Sequence, residues 1–159
     1  MIHGLILHKG EKYYTDMAKV LNSLDGRYRE YNWLITDFEG AYTGEIDNLE
    51  RDYAFVTGDE LFELAGRDKV YQWIWAVISG FDKSIPLEEI LKYPLPYADG
   101  YDGFWHDPIS IQHPLAEVEI VAWDSSLTLF ISKNKKLAEF FRKGFPLSED
   151  LSEYNNREV

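Results

Sequence analysis

Side chains able to do chemistry are concentrated between Tyr97 and His113, in and just after a proline-rich irregular stretch, residues 94–108. The candidate pocket residues are Tyr97, Asp99, Tyr101, Asp102, Trp105, His106, Asp107 and His113. Aromatic rings often wall small-ligand pockets, and a histidine beside a carboxylate can act as an acid–base pair. This segment is therefore the candidate ligand pocket.

The same segment allows two other interpretations. His106, Asp107 and His113 carry the imidazole and carboxylate groups that suit zinc or manganese. Their spacing matches no metal signature, so we predict no metal and no cofactor. The Asp-Gly pairs that begin at Asp99 and Asp102 are also typical of turns, which would make the segment a surface loop whose rings pack onto a sheet.

A second pair of carboxylates, Asp37 and Glu39, is two residues apart at the end of a predicted strand. Residues with this spacing point to one face of a strand, where two carboxylates can share a proton and act as general acid and base. Acidic residues at strand ends are much more often solvated surface charges. We favour the solvated interpretation.

The sequence lacks the motifs of several enzyme classes. It has no glycine-rich phosphate loop, no nucleophile elbow of the G-x-S-x-G type and no H-E-x-x-H zinc motif. It has no cysteine, which excludes disulfides, thiol catalysis and cysteine zinc sites. We therefore lean towards a protein without enzymatic activity, and the missing cysteine fits a reducing cytosol.

The acidic residues are unevenly distributed along a chain of formal net charge −12. Residues 36–63 hold nine acids and one base, Arg51, and residues 93–132 hold six acids and no lysine or arginine. Such a surface repels phosphate backbones and anionic lipid, so no nucleic-acid or membrane partner is predicted. It attracts a basic protein, although net charge also serves simply to keep a protein in solution.

Hydrophobic periodicity predicts a single α+β domain, with helices packed on a mainly antiparallel sheet. The predicted strands are residues 2–8, 31–38, 52–57, 70–80, 117–122 and 127–132, the last two forming a hairpin with one apolar face. The predicted helices are residues 12–24, 58–66, 84–93 and one from Asn134 or Ser132 to Gly144. Residues 149–159 are expected to form a flexible acidic tail.

Two further local patterns bear on packing. Thr57 and Glu60 have the spacing of a capping box, in which each side chain binds a free backbone N–H at a helix start. Trp73 and Trp75 are expected on one strand face. Core packing is the default for such residues, whereas an exposed face with two tryptophans would anchor a partner or a second copy of the chain.

No membrane or export segment is predicted. The first residues carry no basic leader, unlike a signal peptide. The longest apolar stretch, residues 70–81, is 12 residues long, whereas a membrane span needs about 18. We expect a cytoplasmic protein.

The last part of the chain has a recognisable pattern. A hairpin with the turn Asp124-Ser125-Ser126 precedes a short amphipathic helix and then an acidic tail at residues 145–151. This pattern, over about 40 of the 159 residues, resembles the ends of small uncharacterised proteins of Gram-positive bacteria and of immunity proteins from polymorphic toxin systems. The resemblance implies a non-enzymatic protein that binds and blocks a toxin made by the same organism.

The leading hypothesis is a non-enzymatic acidic binding protein for a basic partner, and its more specific form is an immunity protein that neutralises a basic toxin. Its expected partner-binding residues are Asp37, Glu39, Tyr42, Glu45 and Asp47. The alternative is a small-ligand-binding protein or an enzyme with its site in the Tyr97–His113 segment. A third hypothesis is a self-associating subunit that uses Trp73 and Trp75. The oligomeric state is left open.

Overall fold

The computed structural model describes residues 1–40, 52–66 and 72–157. Its strands are β1 (His3–Leu7), β2 (Tyr31–Gly40), β3 (Tyr53–Thr57), β4 (Trp73–Asp82), β5 (Val118–Trp123), β6 (Leu127–Ser132) and β7 (Glu149–Asp150). They form one seven-stranded sheet in the order β3-β2-β4-β5-β6-β1-β7. Every described neighbour pair is antiparallel.

Five α-helices lie in the described residues: α1 (Met17–Asn22), α2 (Gly58–Gly66), α3 (Leu87–Ile90), α4 (Lys135–Gly144) and α5 (Leu151–Asn155). Short 3-10 turns cover Arg27–Glu30 and Gly103–Trp105. The prediction of an α+β domain built on an antiparallel sheet is thereby confirmed. No helix among the described residues combines the length and the apolar character that crossing a bilayer requires.

Both faces of the sheet are buried. One face packs against α1, α2 and α4 around Trp33 and Phe130, while the other packs against α5 and the irregular residues 84–116 around Val77 and Phe81. Each strand therefore needs apolar side chains on both of its faces. The hairpin of β5 and β6 was expected to have one apolar face, and this is wrong, because Val118 to Ala122 are all buried.

Several local predictions hold at the level of single hydrogen bonds. Thr57 N–H donates to Glu60 Oε1 at 3.0 Å and Glu60 N–H donates to Thr57 Oγ1 at 3.2 Å, which is the predicted capping box. Asn134 Oδ1 accepts the N–H of Lys136 at 2.9 Å and of Leu137 at 3.3 Å. Both bonds satisfy donors that a helix start leaves free.

Two of the helices are shorter than the sequence predicted. The first begins at Met17, because the Asp16 side chain caps it by accepting the Lys19 N–H at 3.2 Å. The helix expected over residues 84–93 is only α3. Ser84 does not cap it, because both the N–H and the Oγ of Ser84 bind Asp82 Oδ1 in a turn, at 2.9 and 2.6 Å.

An irregularity in β4 places its two tryptophans on different faces. Glu39 pairs with Trp75 and Gly40 pairs with Trp73, so Ile74 is an extra residue that β2 does not match. Such a bulge reverses the facing of the residues beyond it. Trp73 packs with the helices of one core cluster, and Trp75 packs with the other. The expectation that they share a face is wrong.

The segment expected to form a flexible tail contributes β7 and α5. β7 pairs with Leu5 and Ile6, so β1 lies between β6 and β7. Leu151 is fully buried. The Asp150 side chain caps α5 by accepting the Glu153 N–H at 3.0 Å. Apolar burial and capping together fix this part of the chain, which its acidic composition did not reveal.

Glu149 connects β7 to three basic side chains. Its carboxylate binds Arg157 and His8 closely, and Lys9 Nζ lies 3.4 Å from Oε1. The bond from Arg157, followed by that from His8, lowers the pKa of Glu149 to about 2. The charged form of Glu149 is therefore stabilised in the folded state.

Replacing Glu149 by glutamine is expected to lower the free energy of unfolding at neutral pH by about 1 kcal/mol, since the network is largely at the surface. Because the pKa of Glu149 is lower in the folded chain than in the unfolded chain, its charged form stabilises the fold above about pH 4.5. This contribution is lost as the pH falls towards 2. Urea unfolding at neutral pH and near pH 3 tests this, with Glu153→Gln as the control. An equal deficit at both pH values would contradict the ionic explanation.

Candidate functional site

Three neighbouring strands end together in a group of acidic and aromatic residues. Glu39 is in register with Trp75 across β2 and β4, and the ring centroid of Trp75 lies 5.0 Å from that of Trp123 at the end of β5. Glu39 is exposed and both tryptophans are half-buried. The sheet thus presents a carboxylate and two large rings side by side.

The turn after Trp123 is fixed to the bulge of β4. Asp124 and Ser125 have φ angles of 48° and 57°, and Ser126 N–H donates to the Trp123 carbonyl at 2.9 Å. These are the features of a type I′ turn, in which aspartate tolerates a positive φ. Ser125 N–H donates to the carbonyl of Ile74 at 3.0 Å. The exposed carboxylate of Asp124 therefore stays next to the tryptophans.

The residue 94–108 loop covers this end of the sheet with a chain of aromatic contacts. The ring centroid of Tyr97 lies 5.2 Å from that of Tyr101, and the Tyr101 centroid lies 4.7 Å from that of Phe104. The ring centroids of Trp105 and Phe104 lie 5.1 and 6.1 Å from that of Trp123. Each of these contacts is edge-to-face, the geometry that the quadrupoles of aromatic rings favour. These edge-to-face contacts hold the loop on the sheet, and 47% of Tyr97 remains exposed.

Asp37, in β2, anchors the 94–108 loop to the sheet. Its φ of 50° marks a second register irregularity, in β2, between Thr36 and Glu39. The re-aimed carboxylate accepts the N–H of Ala98 at 2.8 Å and of Asp99 at 3.0 Å through Oδ2. These bonds join the two acid-rich parts of the sequence. Asp37 and Glu39 therefore have different environments, one bound to the loop and one exposed.

Gln112 holds the same loop from the other side. Its side-chain Oε1 accepts the Tyr97 N–H at 3.2 Å, and its Nε2 donates to the Tyr97 carbonyl at 2.8 Å. Its backbone N–H donates to Glu119 Oε2 at 3.0 Å. Tyr97 is thus connected through Gln112 to a carboxyl group inside the protein.

Glu119 is that carboxyl group, and it is fully buried in β5. Burial raises its pKa to about 8, and the hydrogen bond from Gln112 only partly opposes this. Among the described residues, Glu119 Oε1 and the hydroxyl of its cross-strand partner Ser79 find no hydrogen-bond partner. Burial, with Glu119 adding to it, also raises the pKa of Tyr101. The neutral, protonated form of Glu119 is favoured at neutral pH.

His113 is separated from the other predicted pocket residues. Its Nε2 lies 2.8 Å from the Ile90 carbonyl, and its Nδ1 accepts the Leu115 N–H at 3.2 Å. This pattern assigns a neutral ring with the proton on Nε2. Burial lowers the pKa of His113, and its ring packs between Phe81 and Tyr93. It fixes the covering segment to the sheet and has no group free for a ligand.

The remaining predicted pocket residues divide into two groups. Asp107 binds the chain itself, since it accepts the Ser152 hydroxyl at 2.9 Å and also binds the Asn156 side chain. Asp102 and His106 are exposed, with the His106 Nε2 3.8 Å from Asp102 Oδ2. Within residues 1–40, 52–66 and 72–157, no three histidine or acidic side chains are arranged to hold a metal ion.

We call the exposed or half-buried part of this region the acidic end. It consists of Asp37, Glu39, Asp99, Asp102 and Asp124 with Trp75, Trp105, Trp123, Tyr97 and Tyr101. Of the predicted partner-binding residues, Tyr42, Glu45 and Asp47 lie outside the described residues. The basic residues 133–143 lie on or next to α4, which covers the opposite face of the sheet.

Sequence reasoning missed Gln112 and Glu119. A glutamine next to a candidate histidine carries no distinctive signal. Glu119 alternates with apolar residues, as a solvent-facing strand residue does. Only the apolar side chains of Val121 and Ile131, on the same face of the sheet as Glu119, indicated that this face is covered.

Comparison of the chain with protein-family models, curated proteins and solved structures finds no match.

Proposed function

We propose that this chain is a non-enzymatic binding protein whose acidic end engages a basic protein, and that it acts as an immunity protein against a basic toxin. The observation that carries the proposal is the pair of bonds from Asp37 to the N–H groups of Ala98 and Asp99. They hold Asp37, from the first acid-rich part of the sequence, next to Asp99, from the second, and so group these carboxylates at the acidic end.

The two kinds of side chain at the acidic end have complementary roles. Exposed carboxylates accelerate the approach of a cationic partner through long-range attraction. The partly exposed rings of Trp75, Trp105 and Trp123 supply the aromatic contact area that dominates binding energy at interfaces. The carboxylates therefore act mainly on the association rate and the rings on the dissociation rate. Such a protein would act in the cytoplasm, consistent with the absence of cysteine.

Neutralising Asp99, Asp102 and Asp124 together to asparagine is expected to slow association with the partner about tenfold at low salt. Asparagine preserves the side-chain shape and tolerates the positive φ of Asp124. The partner is captured from lysate of the producing cells, identified, purified and measured by stopped-flow quenching of tryptophan fluorescence. The loss should shrink as salt is added.

The control replaces Glu88, Glu139 and Glu153 by glutamine, which removes the same number of exposed charges elsewhere. Equal slowing by both triple variants would refute a localised acidic site. The immunity function has its own test: expression of the purified partner should arrest growth, and co-expression of this chain should restore it. A partner that is not toxic would refute the immunity function and leave the binding site standing.

A further inference from the structure

A groove of about 500 Å³ lies between α4 and the edge of the sheet, on the face that α1, α2 and α4 cover. Its apolar floor includes Leu5, Ala138 and Pro146. β7 pairs with β1 at Leu5 and Ile6, and beside His3 the sheet edge opens into the groove. The volume falls in the range of small-molecule sites, about 300–1,000 Å³.

The charge of the groove is opposite to that of the chain as a whole. Lys135, Arg142 and Lys143 line it, and Lys135 and Arg142 are on one stripe of α4, seven residues apart. None of the three forms an ion pair within the described residues. Three cations without ionic partners are therefore grouped on a protein of formal net charge −12.

Two acidic residues, Glu139 and Asp150, also line the groove, so three basic and two acidic side chains leave an excess of one positive charge. The Asp150 carboxylate accepts the Glu153 N–H at 3.0 Å at the start of α5. Glu139 lies between Lys135 and Lys143 along α4 and is exposed. The local excess of positive charge remains, next to an apolar floor.

We propose that this groove binds a small anionic amphiphile, a molecule with a phosphate or carboxylate head and an apolar chain. The head lies against Lys135, Arg142 and Lys143, where charge-assisted hydrogen bonds form. The apolar chain covers Leu5, Ala138 and Pro146, where it loses contact with water. This site is separate from the acidic end and does not depend on its function.

Isothermal titration with octyl phosphate, inorganic phosphate, octanol and octylammonium tests the proposal. Octyl phosphate should bind at least about tenfold more tightly than each of the others, because it alone satisfies both halves of the groove. Equal affinity for inorganic phosphate would overturn the apolar half of the proposal, and equal affinity for octanol would overturn the ionic half.

Paired variants locate the site. The double variant Lys135→Gln, Arg142→Gln should weaken octyl phosphate binding about tenfold or more. The control variant Lys136→Gln, Lys83→Gln removes the same charge outside the groove, and it should change the affinity for octyl phosphate less than about twofold. Equal weakening by both pairs would mean diffuse attraction and would overturn the site. Retained folding is checked by the near-ultraviolet circular dichroism of each variant.

The head group has two possible sources, a free metabolite or a phospholipid. Co-sedimentation with zwitterionic vesicles, with and without an anionic phospholipid, distinguishes them. If the protein binds the anionic vesicles and the Lys135→Gln, Arg142→Gln variant does not, the head group belongs to a phospholipid. Binding of monomeric octyl phosphate without vesicle binding assigns a free ligand. Failure to bind either probe would overturn the proposal.

Discussion

Replacing Glu119 by glutamine is expected to raise the free energy of unfolding at neutral pH by about 3 kcal/mol. Burial raises the pKa of Glu119 to about 8 in the folded protein. The unfolded chain releases the proton near pH 4.5, so at neutral pH folding must bind a proton back. Glutamine removes this cost, keeps an oxygen for the Gln112 N–H, and adds an amide donor on the residue paired with Ser79.

The sign of the pH dependence follows from the same linkage. Because the folded pKa is raised, the contribution of Glu119 to the stability of the native chain declines from about pH 4.5 to pH 8 and then levels off. The advantage of Glu119→Gln should grow across this window. Urea unfolding at several pH values measures it, with Glu88→Gln, an exposed carboxylate, as the control. An advantage that does not change with pH would show that Glu119 folds in its charged form.

Removing the Asp37 carboxylate is expected to cost about 2 kcal/mol of stability and to release the loop above it. A hydrogen bond to a charged group contributes about 1.5–3 kcal/mol. Asp37 accepts two such bonds, but both go to the single oxygen Oδ2 of a half-buried side chain, where solvent weakens each of them. Glycine is the suitable replacement because it adopts the φ of 50° without strain. Asparagine keeps a neutral acceptor and tolerates that φ, so Asp37→Asn should lose only about half as much.

Amide hydrogen exchange distinguishes loss of the anchor from general destabilisation. In Asp37→Gly the N–H groups of Ala98 and Asp99 should exchange at least about tenfold faster, while amides in β5 change only with global stability. Glu39→Gln, two residues further along the strand and exposed, serves as the control. Unchanged protection of Ala98 and Asp99 in the glycine variant would exclude the anchoring role.

Much of the fold could be predicted because its elements follow local rules. Alternating or continuous apolar residues identified six of the seven strands. The capping box at Thr57 and the cap at Asn134 fixed two helix starts, since each requires only residues close in sequence. The fold class followed from the hairpin and the short strands.

The errors arose where distant segments decide the local structure. Residues 84–116 have no clear periodicity. One interpretation of residues 97–113 had their rings pack onto a sheet, but the sequence did not show that the whole segment covers most of one sheet face. That cover is why Glu119 is buried instead of solvated. The irregularities at Asp37 and Ile74 shift the facing of side chains by one residue, and strand periodicity assumes that no such shift occurs. The loop anchors therefore became visible only in the folded chain.

The position of β1 has a consequence for synthesis on the ribosome. His3 pairs with Ser132, so β1 must wait for a strand that is made 129 residues later. At about 5–20 residues per second this delay is on the order of ten seconds. During that time the apolar residues Leu5, Ile6 and Leu7 have neither neighbouring strand. This apolar segment therefore cannot join the sheet until translation has passed β6.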